Sequence, residues 1–568
     1  MKAREATMKR INTDVLVVGG GGAGLMAAYE ATKYNVRVSI VSKGKIQRSG
    51  ATIMAPGAIS GVDDRWKVVE DSRDIHLTDT LKGGAWLNEQ EKVKMLVEQS
   101  SDLIMELERM GAIFQRNTEG DKLLLRIDGG HSYHRCPYLE DRTGREMVRA
   151  MISELRKRDV RLYEEIMIMK IVQEGQTVKG ALGFDLNNFE PVIFECKSVI
   201  LATGGAGMVY ANTDNSTDLT GDGYALALDA GVKLKDMEFV QFYPIGLLFP
   251  PSLKGMLGGL LYYSKLYNCN NERFMEKHDP ERLELSTRDR VSRAIMKEVQ
   301  EGRGTPRGGV YCDLTFNEPS FVAKMTPALN ATYLNIGIDP EKDRFEIAPT
   351  CHFFMGGIQV DNNWKTWVDG LYGAGEVVGG MHGGNRLSQN ALAEILVSGV
   401  TAGKSAAAYA NNCETHFIDP KLGDLVNEKM QTLLNIKSGI RPSEYRAKLR
   451  NLMWEHVGVF RSENSLRIAL NELEILENTP VHINNQSNYL NHELLEAIEN
   501  ENLTLTAKCI IKAAMLRTES RGAHFRSDYP DTNNLGWLKN IIITKDSDRL
   551  TTNCIAVELK HKKPEVNA

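Results

Sequence analysis

The chain has few cysteines, and none of them cluster. Cys136, Cys196, Cys269, Cys312, Cys351, Cys413, Cys509 and Cys554 are scattered singly through 568 residues. No zinc or iron–sulfur ligand run is therefore present, and no metal site is expected. Isolated cysteines in a long chain read as reduced thiols, which points to a cytoplasmic protein. Single electrons would have to come from clusters on another chain. No run of about 18 apolar residues occurs, so no spanning helix and no direct membrane insertion are expected. The opening stretch MKAREATMKRINTD is polar and lacks the apolar core of a signal peptide. Repeats and low-complexity segments are absent. A formal net charge of −5 implies a mildly acidic surface, which argues against a nucleic-acid partner. What remains is an ordinary globular composition, 42% hydrophobic and 25% charged, with enough apolar material for a large core. The length suggests about two to four domains.

Residues 14–18 (DVLVV) form a short apolar run ending in glycines, the pattern of a buried parallel strand. A helical pattern over 25–34 and a β-branched run over 36–41 complete a βαβ opening, so a parallel sheet is expected. Helical periodicity continues over 90–110 and 142–157. Strand-like residues return over 192–202 and end in the cluster Gly204, Gly205, Gly207. Turns, prolines and aromatics interrupt the pattern over 237–349. The glycine-dense stretch 370–384 leads into an apolar helix over 390–410. Beyond about residue 420 the chain is charged and helical to Met515, followed by an irregular C-terminal piece. Glycine clusters near 20, 204 and 375 flank the interruption, so the dinucleotide domain is expected to be split by an insertion.

The strongest local motif is VLVVGGGGAGL, in which Gly19, Gly21 and Gly24 satisfy G-x-G-x-x-G between a strand and a helix. Gly19 permits the tight turn, Gly21 admits a pyrophosphate to the backbone, and Gly24 allows close helix–strand packing. Free N–H groups at the helix start then hold the phosphates. The acid that usually ends the second strand and binds ribose is missing, because Val41 is followed by Ser42 and Lys43.

Five further motifs occur in one order: TGGAG at 203–207, TGDGYALALDAG at 220–231, PTCHFFMGG at 349–357, GLYGAGEVVGGMHGGNRLSQNALAE at 370–394, and TESRGAHFRSDYP at 518–530. Together they resemble the flavoprotein subunit of fumarate reductase and succinate dehydrogenase, with its relative L-aspartate oxidase, from about residue 13 to 540. The resemblance implies an α/β fold with a split Rossmann-like FAD-binding domain (1–236 and 350–418) and an inserted α+β capping domain (237–349). A helical domain (419–530) and a C-terminal extension (531–568) follow. It implies FAD contacts from Gly19, Gly21, Ala23 and Gly24, from Ser42 and Lys43, and from Ser49, Gly50, Ala51 and Thr52. Ala202, Thr203, Gly204 and Gly205 would pack against the adenine half, and Asp222 would hold the adenosine ribose. Gly375 and Glu376, with Arg386, Asn390, Ala391 and Leu392, would complete the site. Taken singly, Asp222 reads as a turn aspartate and Glu376 as a helix-starting charge.

Catalysis in this family moves a hydride between flavin and a carbon near a carboxylate, and a proton at the neighbouring carbon, so it needs cations and a placed acid. By resemblance Arg288, in LSTRDRVSRA, is the proton donor, and His352 and Arg386 grip the carboxylate. An arginine acid requires neighbouring cations, because its pKa is above about 12. Taken singly, Arg288 reads as a partner of Asp289 and His352 as a core histidine.

Two departures stand out. The family's flavin-attaching histidine, in R-S-H-T, is replaced by Gly50 in QRSGAT, so FAD is expected to be non-covalent. The segment F-H-P-T-G reads FYPIG, with Tyr243 for the histidine and Ile245 for the threonine, and T-E-x-x-R-G-E-G-G is replaced by GGLLYYSKLYN. Tyr243, Tyr262, Tyr263 or Lys265 could restore the lost polar contacts. Equally, the pocket could take a substrate with one carboxylate and a larger, less polar tail. In RIDGGHSYHR, Asp128 stands where L-aspartate oxidase has an acid for the substrate amine. It also reads as a turn residue before two glycines.

The resemblance therefore implies the catalytic subunit of a soluble fumarate-reductase-like hetero-oligomer, similar to the catalytic subunits of methanogen thiol:fumarate reductases. It would reduce a small 2-enoate carboxylate, fumarate foremost, with electrons taken from an iron–sulfur subunit. L-Aspartate oxidase, a reductase of another 2-enoate with one carboxylate, and an FAD-binding electron-transfer subunit without substrate are the alternatives.

Overall fold

The run VLVV forms the centre of a five-stranded parallel sheet in the computed structural model, which describes residues 9–547 and 549–564. Residues 1–8, part of the polar stretch that argues against a signal peptide, lie outside the described residues. The sheet order is Leu371–Gly373, Ser198–Leu201, Val15–Val18, Val38–Ser42, Val160–Glu164, with every neighbouring pair parallel. Val15–Val18 is buried throughout, as expected of a strand covered on both faces. The helix Gly22–Ala31 follows it and packs on Asn390–Asn411. Glycine makes this contact close: a Cβ at Gly403 would sit 2.3 Å from the Ala27 carbonyl oxygen.

The apolar stretch 192–202, expected as one strand-like run, divides in two. Pro191–Glu195 belongs to a second sheet with Lys9–Asn12, Thr177–Asp185 and Ile166–Glu174, whereas Ser198–Leu201 joins the parallel sheet. Asp14 sets the step between them, since its carbonyl accepts from both Lys197 N and Ser198 N. The C-terminal piece, expected to be irregular, contains a hairpin of Lys539–Asp546 and Arg549–Ala556 that pairs with Leu234–Lys235. Burial of Ile541, Ile542 and Ile543 anchors it.

Within 237–349 an antiparallel sheet runs in the order Val240–Leu247, Phe345–Phe354, Val310–Asp313, Lys265–Tyr267. It has its own core, formed by Tyr243, Ile245, Leu247, Val291, Ile295 and Ile347 among others. Val291 and Ile295 come from the helix Arg288–Gln300, so burial of that face fixes Arg288 at the helix start. Helices Asp424–Leu434, Pro442–His456, Glu463–Glu477 and His492–Leu516 follow. Among the described residues no helix is long and apolar enough to cross a membrane.

Candidate active site

At the carboxyl end of the parallel sheet the chain turns sharply at Gly19, whose φ is +121°. A Cβ there would lie 2.1 Å from the Ala202 carbonyl oxygen, and one at Gly24 would lie 2.0 Å from the Gly19 oxygen. These two glycines let strand, turn and helix approach, while a Cβ at Gly21 would meet only Thr52 Oγ1, at 3.8 Å. Thr52 Oγ1 accepts from Gly22 N at 3.1 Å, tying the helix start to the segment that carries Ser49 and Gly50.

A cavity of about 470 Å³ begins at this turn and extends to the antiparallel sheet of 237–349. Gly19, Gly21, Ala23, Ser42, Lys43, Ser49, Gly50, Ala51 and Thr52 line it, as do Ala202, Thr203, Gly204 and Asp222. Gly375, Glu376, Ala391 and Leu392 close the next part of the wall, and Tyr243, Arg288, His352 and Arg386 line the far end. Gly24, Gly205 and Asn390 are expected cofactor contacts that stand behind the lining. Gly24 serves helix–strand packing, and Gly205 packs on the Glu376 carboxyl. Asn390 is engaged by Ser60 Oγ, His76 Nε2 and Thr80 Oγ1.

The lining fits a dinucleotide. Thr203 Oγ1 is buried without a hydrogen-bond partner, as a group awaiting a ligand would be. Gly50, at φ +84°, has no atom within 4 Å of the position its Cβ would take, so the backbone is bare on that side. Just past the second strand, Lys43 Nζ lies 2.8 Å from Asp222 Oδ2 and 2.7 Å from Glu499 Oε1, which brings two acids to that end of the cavity. Glu376 Oε1 accepts from Phe354 N at 3.0 Å, and burial pushes its carboxyl up to about 7.

At the far end Arg386 Nη2 donates to Gln241 Oε1 at 2.9 Å, and Arg288 Nη1 reaches the same oxygen at 3.4 Å. Arg288 Nη2 donates to Ser388 Oγ at 2.8 Å, and its guanidinium lies 4.8 Å from the centre of the Tyr243 ring. Arg386 stacks on Phe353 at 4.7 Å. Both Nε groups are buried and unpaired. Among the described residues no carboxylate forms a salt bridge to either guanidinium; the hydrogen-bond acceptors are the neutral Gln241 and Ser388. Burial and the charge of Arg288 push the Arg386 pKa down. His352 Nδ1 pairs with Asp214 Oδ2 at 2.7 Å, which leaves Nε2 as its free nitrogen, and burial lowers its pKa despite that carboxylate. Two guanidinium groups without a salt bridge, beside an imidazole, are suited to binding and polarising an anion.

Behind this end, TESRGAHFRSDYP acts as a brace. Ala523 N donates to the Gly384 carbonyl at 2.9 Å, two residues before Arg386, and the Gly522 carbonyl accepts from Arg293 Nη1 at 3.1 Å. Asn385 Nδ2 donates to Asp289 Oδ1, so the segments carrying Arg288 and Arg386 are tied twice. Sequence reasoning missed Gln241, Ser388, Asp214 and Gln389. Gln241 stood two residues before the singled-out Tyr243 on one strand, the spacing that places side chains on the same face.

A split dinucleotide domain, a capping sheet and a pair of arginines sharing one neutral acceptor define a flavoprotein oxidoreductase that binds FAD. Residues 14–392 match the family "FAD binding domain", and residues 446–567 match "Fumarate reductase flavoprotein C-term". The chain belongs to the fumarate reductase/succinate dehydrogenase flavoprotein family. It is 40% identical to a fumarate reductase (CoM/CoB) subunit of Methanothermobacter marburgensis, over 94% of this chain and 97% of that protein. To the fumarate reductase flavoprotein subunit of Escherichia coli it is 32% identical, over 96% and 93%. A solved quinol–fumarate reductase with menaquinol superimposes with a TM-score of 0.92 at 30% identity, covering 98% of this chain and 100% of that one.

Proposed function

We propose that this chain is the catalytic flavoprotein subunit of a soluble fumarate-reductase-like complex that reduces the carbon–carbon double bond of a 2-enoate. The observation that carries the reading is the pair of buried Arg386 and partly buried Arg288, beside the cofactor cleft and sharing one neutral acceptor, with no salt-bridged carboxylate of their own among the described residues. FAD, when bound, supplies the hydride equivalent to the β-carbon. Arg386 and His352 hold the carboxylate and draw electron density towards it, while Arg288 gives a proton to the α-carbon. One hydride and one proton saturate the bond. Tyr243 and Phe353 hold the two guanidinium planes, and burial keeps competing water away.

Single electrons reach the flavin from an iron–sulfur subunit, because this chain has no cysteine run to hold a cluster. The relatives are themselves named as subunits, which supports a hetero-oligomer. Gly50 in place of the attaching histidine supports non-covalent FAD.

Asp128 favours a second reading, oxidation of L-aspartate: it lines the cavity and is held there by Gln389 Nε2. Anaerobic reoxidation of the reduced holoprotein by fumarate, crotonate and cinnamate, followed at the flavin band, separates the two. Reoxidation by any enoate supports reduction. Inertness towards all three, with bleaching by L-aspartate, replaces it with the second reading.

A further inference from the structure

The cationic side chains along the cavity are unevenly committed. Lys43 is paired with Asp222 and Glu499 at the cofactor end. Among the described residues Arg126 has no salt bridge and an unpaired Nε, but it lies 3.9 Å from the Tyr138 ring centre, donates to the Met325 carbonyl at 3.2 Å, and shares its part of the cavity with the Asp128 carboxyl. Arg288 and Arg386 have no salt-bridge partner among the described residues and remain for an anion, while Arg288 and the imidazole of His352, held by Asp214, flank the Tyr243 ring. One carboxylate is enough to satisfy them.

Much of the rest of that end is apolar or aromatic. Met256, Leu257, Leu260 and Tyr262 line the cavity and pack on the core that contains Tyr243 and Ile245. The Tyr262 hydroxyl lies beside Arg288, is buried, and makes no well-formed hydrogen bond, so it offers one neutral donor. Asp128 and Arg126 share that wall of the cavity, and burial raises the Asp128 carboxyl to about 6. A second substrate carboxylate would meet hydrocarbon and a like charge, which penalises it twice. An apolar tail would instead cover surface that water now wets.

Resting on the reading of this site as an enoate reductase, we propose that its substrate class is the 2-enoates with a single carboxylate and an uncharged, apolar β-substituent, 3-alkyl- or 3-arylacrylates rather than dicarboxylates. Arg386, His352 and Arg288 bind the carboxylate, and Met256, Leu257, Leu260 and Tyr262 cover the substituent.

The test is a titration of the oxidised holoprotein with succinate and with 3-phenylpropanoate, the saturated products of fumarate and cinnamate, read as a shift of the flavin band. Binding of 3-phenylpropanoate at least roughly ten-fold tighter than succinate is expected. Equal or tighter binding of succinate overturns the proposal, even if the reduced protein is reoxidised by fumarate and enoate reduction itself stands. Because the titration needs no turnover, inertness towards every enoate would sink the enzymatic reading and leave this result separately visible. Leu257→Arg adds a cation to the apolar wall and is expected to shift the preference towards succinate by roughly ten-fold. An unmoved preference in a variant with normal flavin content also overturns it. The wild-type titration decides the matter if that variant does not fold.

Discussion

Arg288 and Arg386, about a hundred residues apart in sequence, donate to the same oxygen, Gln241 Oε1. The amide nitrogen of Gln241 donates to Asn385 Oδ1 at 2.7 Å and to the Arg386 carbonyl at 2.9 Å. A neutral side chain thus holds two like charges together without cancelling either. The repulsion between them is relieved only by an anion, which makes the pair a receptor for one.

Removing that bridge should damage substrate binding more than cofactor binding. Gln241→Leu is expected to keep its flavin and to lose about 10²-fold in kcat/KM, the scale set by misplacing a reacting group by about 1 Å. Steady-state kinetics on flavin-replete protein checks this. A loss under about two-fold would show that the arginines position themselves.

Glu376 gives a stability effect with a definite sign. Burial raises its carboxyl from the ordinary range to about 7, so the folded chain resists an ionisation that the unfolded chain undergoes freely. Between the unfolded and folded values the native state binds more protons, and stability falls as pH rises through that window. Glu376→Gln keeps the acceptor for Phe354 N and removes the ionisation. The apoprotein variant should therefore melt higher than wild type at pH 8, by an amount that shrinks towards pH 5. A gain independent of pH would mean that Glu376 is not the group responsible.

The buried charges near the C-terminus are a separate case. Arg517 is fully buried, with Glu238 Oε1 at 2.6 Å, Glu519 Oε1 at 3.1 Å and Asp236 Oδ1 at 3.8 Å. Arg517→Met strands these carboxylates and is expected to cost about 3–5 kcal/mol, the scale for breaking a buried pair. Lys545→Met, at the surface pair with Asp229, should cost under about 1 kcal/mol. Denaturant midpoints of the two variants provide the comparison, and equal losses would refute the assignment.

The cofactor cleft was legible because its chemistry is backbone chemistry. Gly19, Gly21 and Gly24 announce a turn that other residues cannot make, and the later glycine clusters return to the same edge of the sheet. The hairpin at 539–556 was legible in principle, since β-branched residues flank a polar turn, but its pairing partner Leu234–Lys235 is some three hundred residues away. The wiring between the arginines was not legible. Gln241, Ser388 and Asn385 are neutral side chains whose importance comes only from what the fold brings to them, and Asp214 pairs with a histidine 138 positions later. The split of 192–202 into two sheets was hidden for the same reason: the Asp14 carbonyl that redirects the chain lies far upstream.

Flavin attachment provides the last test. A covalent bond to the protein requires a nucleophilic side chain over the isoalloxazine, and the family position for it is Gly50, which has no side chain. The local backbone adds a second obstacle. Gly50 sits at φ +84° and ψ 168°, a conformation essentially confined to glycine that costs an L-residue roughly 1–3 kcal/mol. A histidine placed there has free space, since no atom lies within 4 Å of its Cβ, but it must either accept that strain or distort the turn that follows Ser49. Acid precipitation of wild-type holoprotein is therefore expected to release all of the flavin into the supernatant. Gly50→His should release it as well, with lowered flavin occupancy and no covalent fraction. Yellow colour retained in the wild-type pellet would show that another residue attaches the flavin; colour retained only in the variant would show that the turn relaxes and that the missing imidazole was the sole barrier.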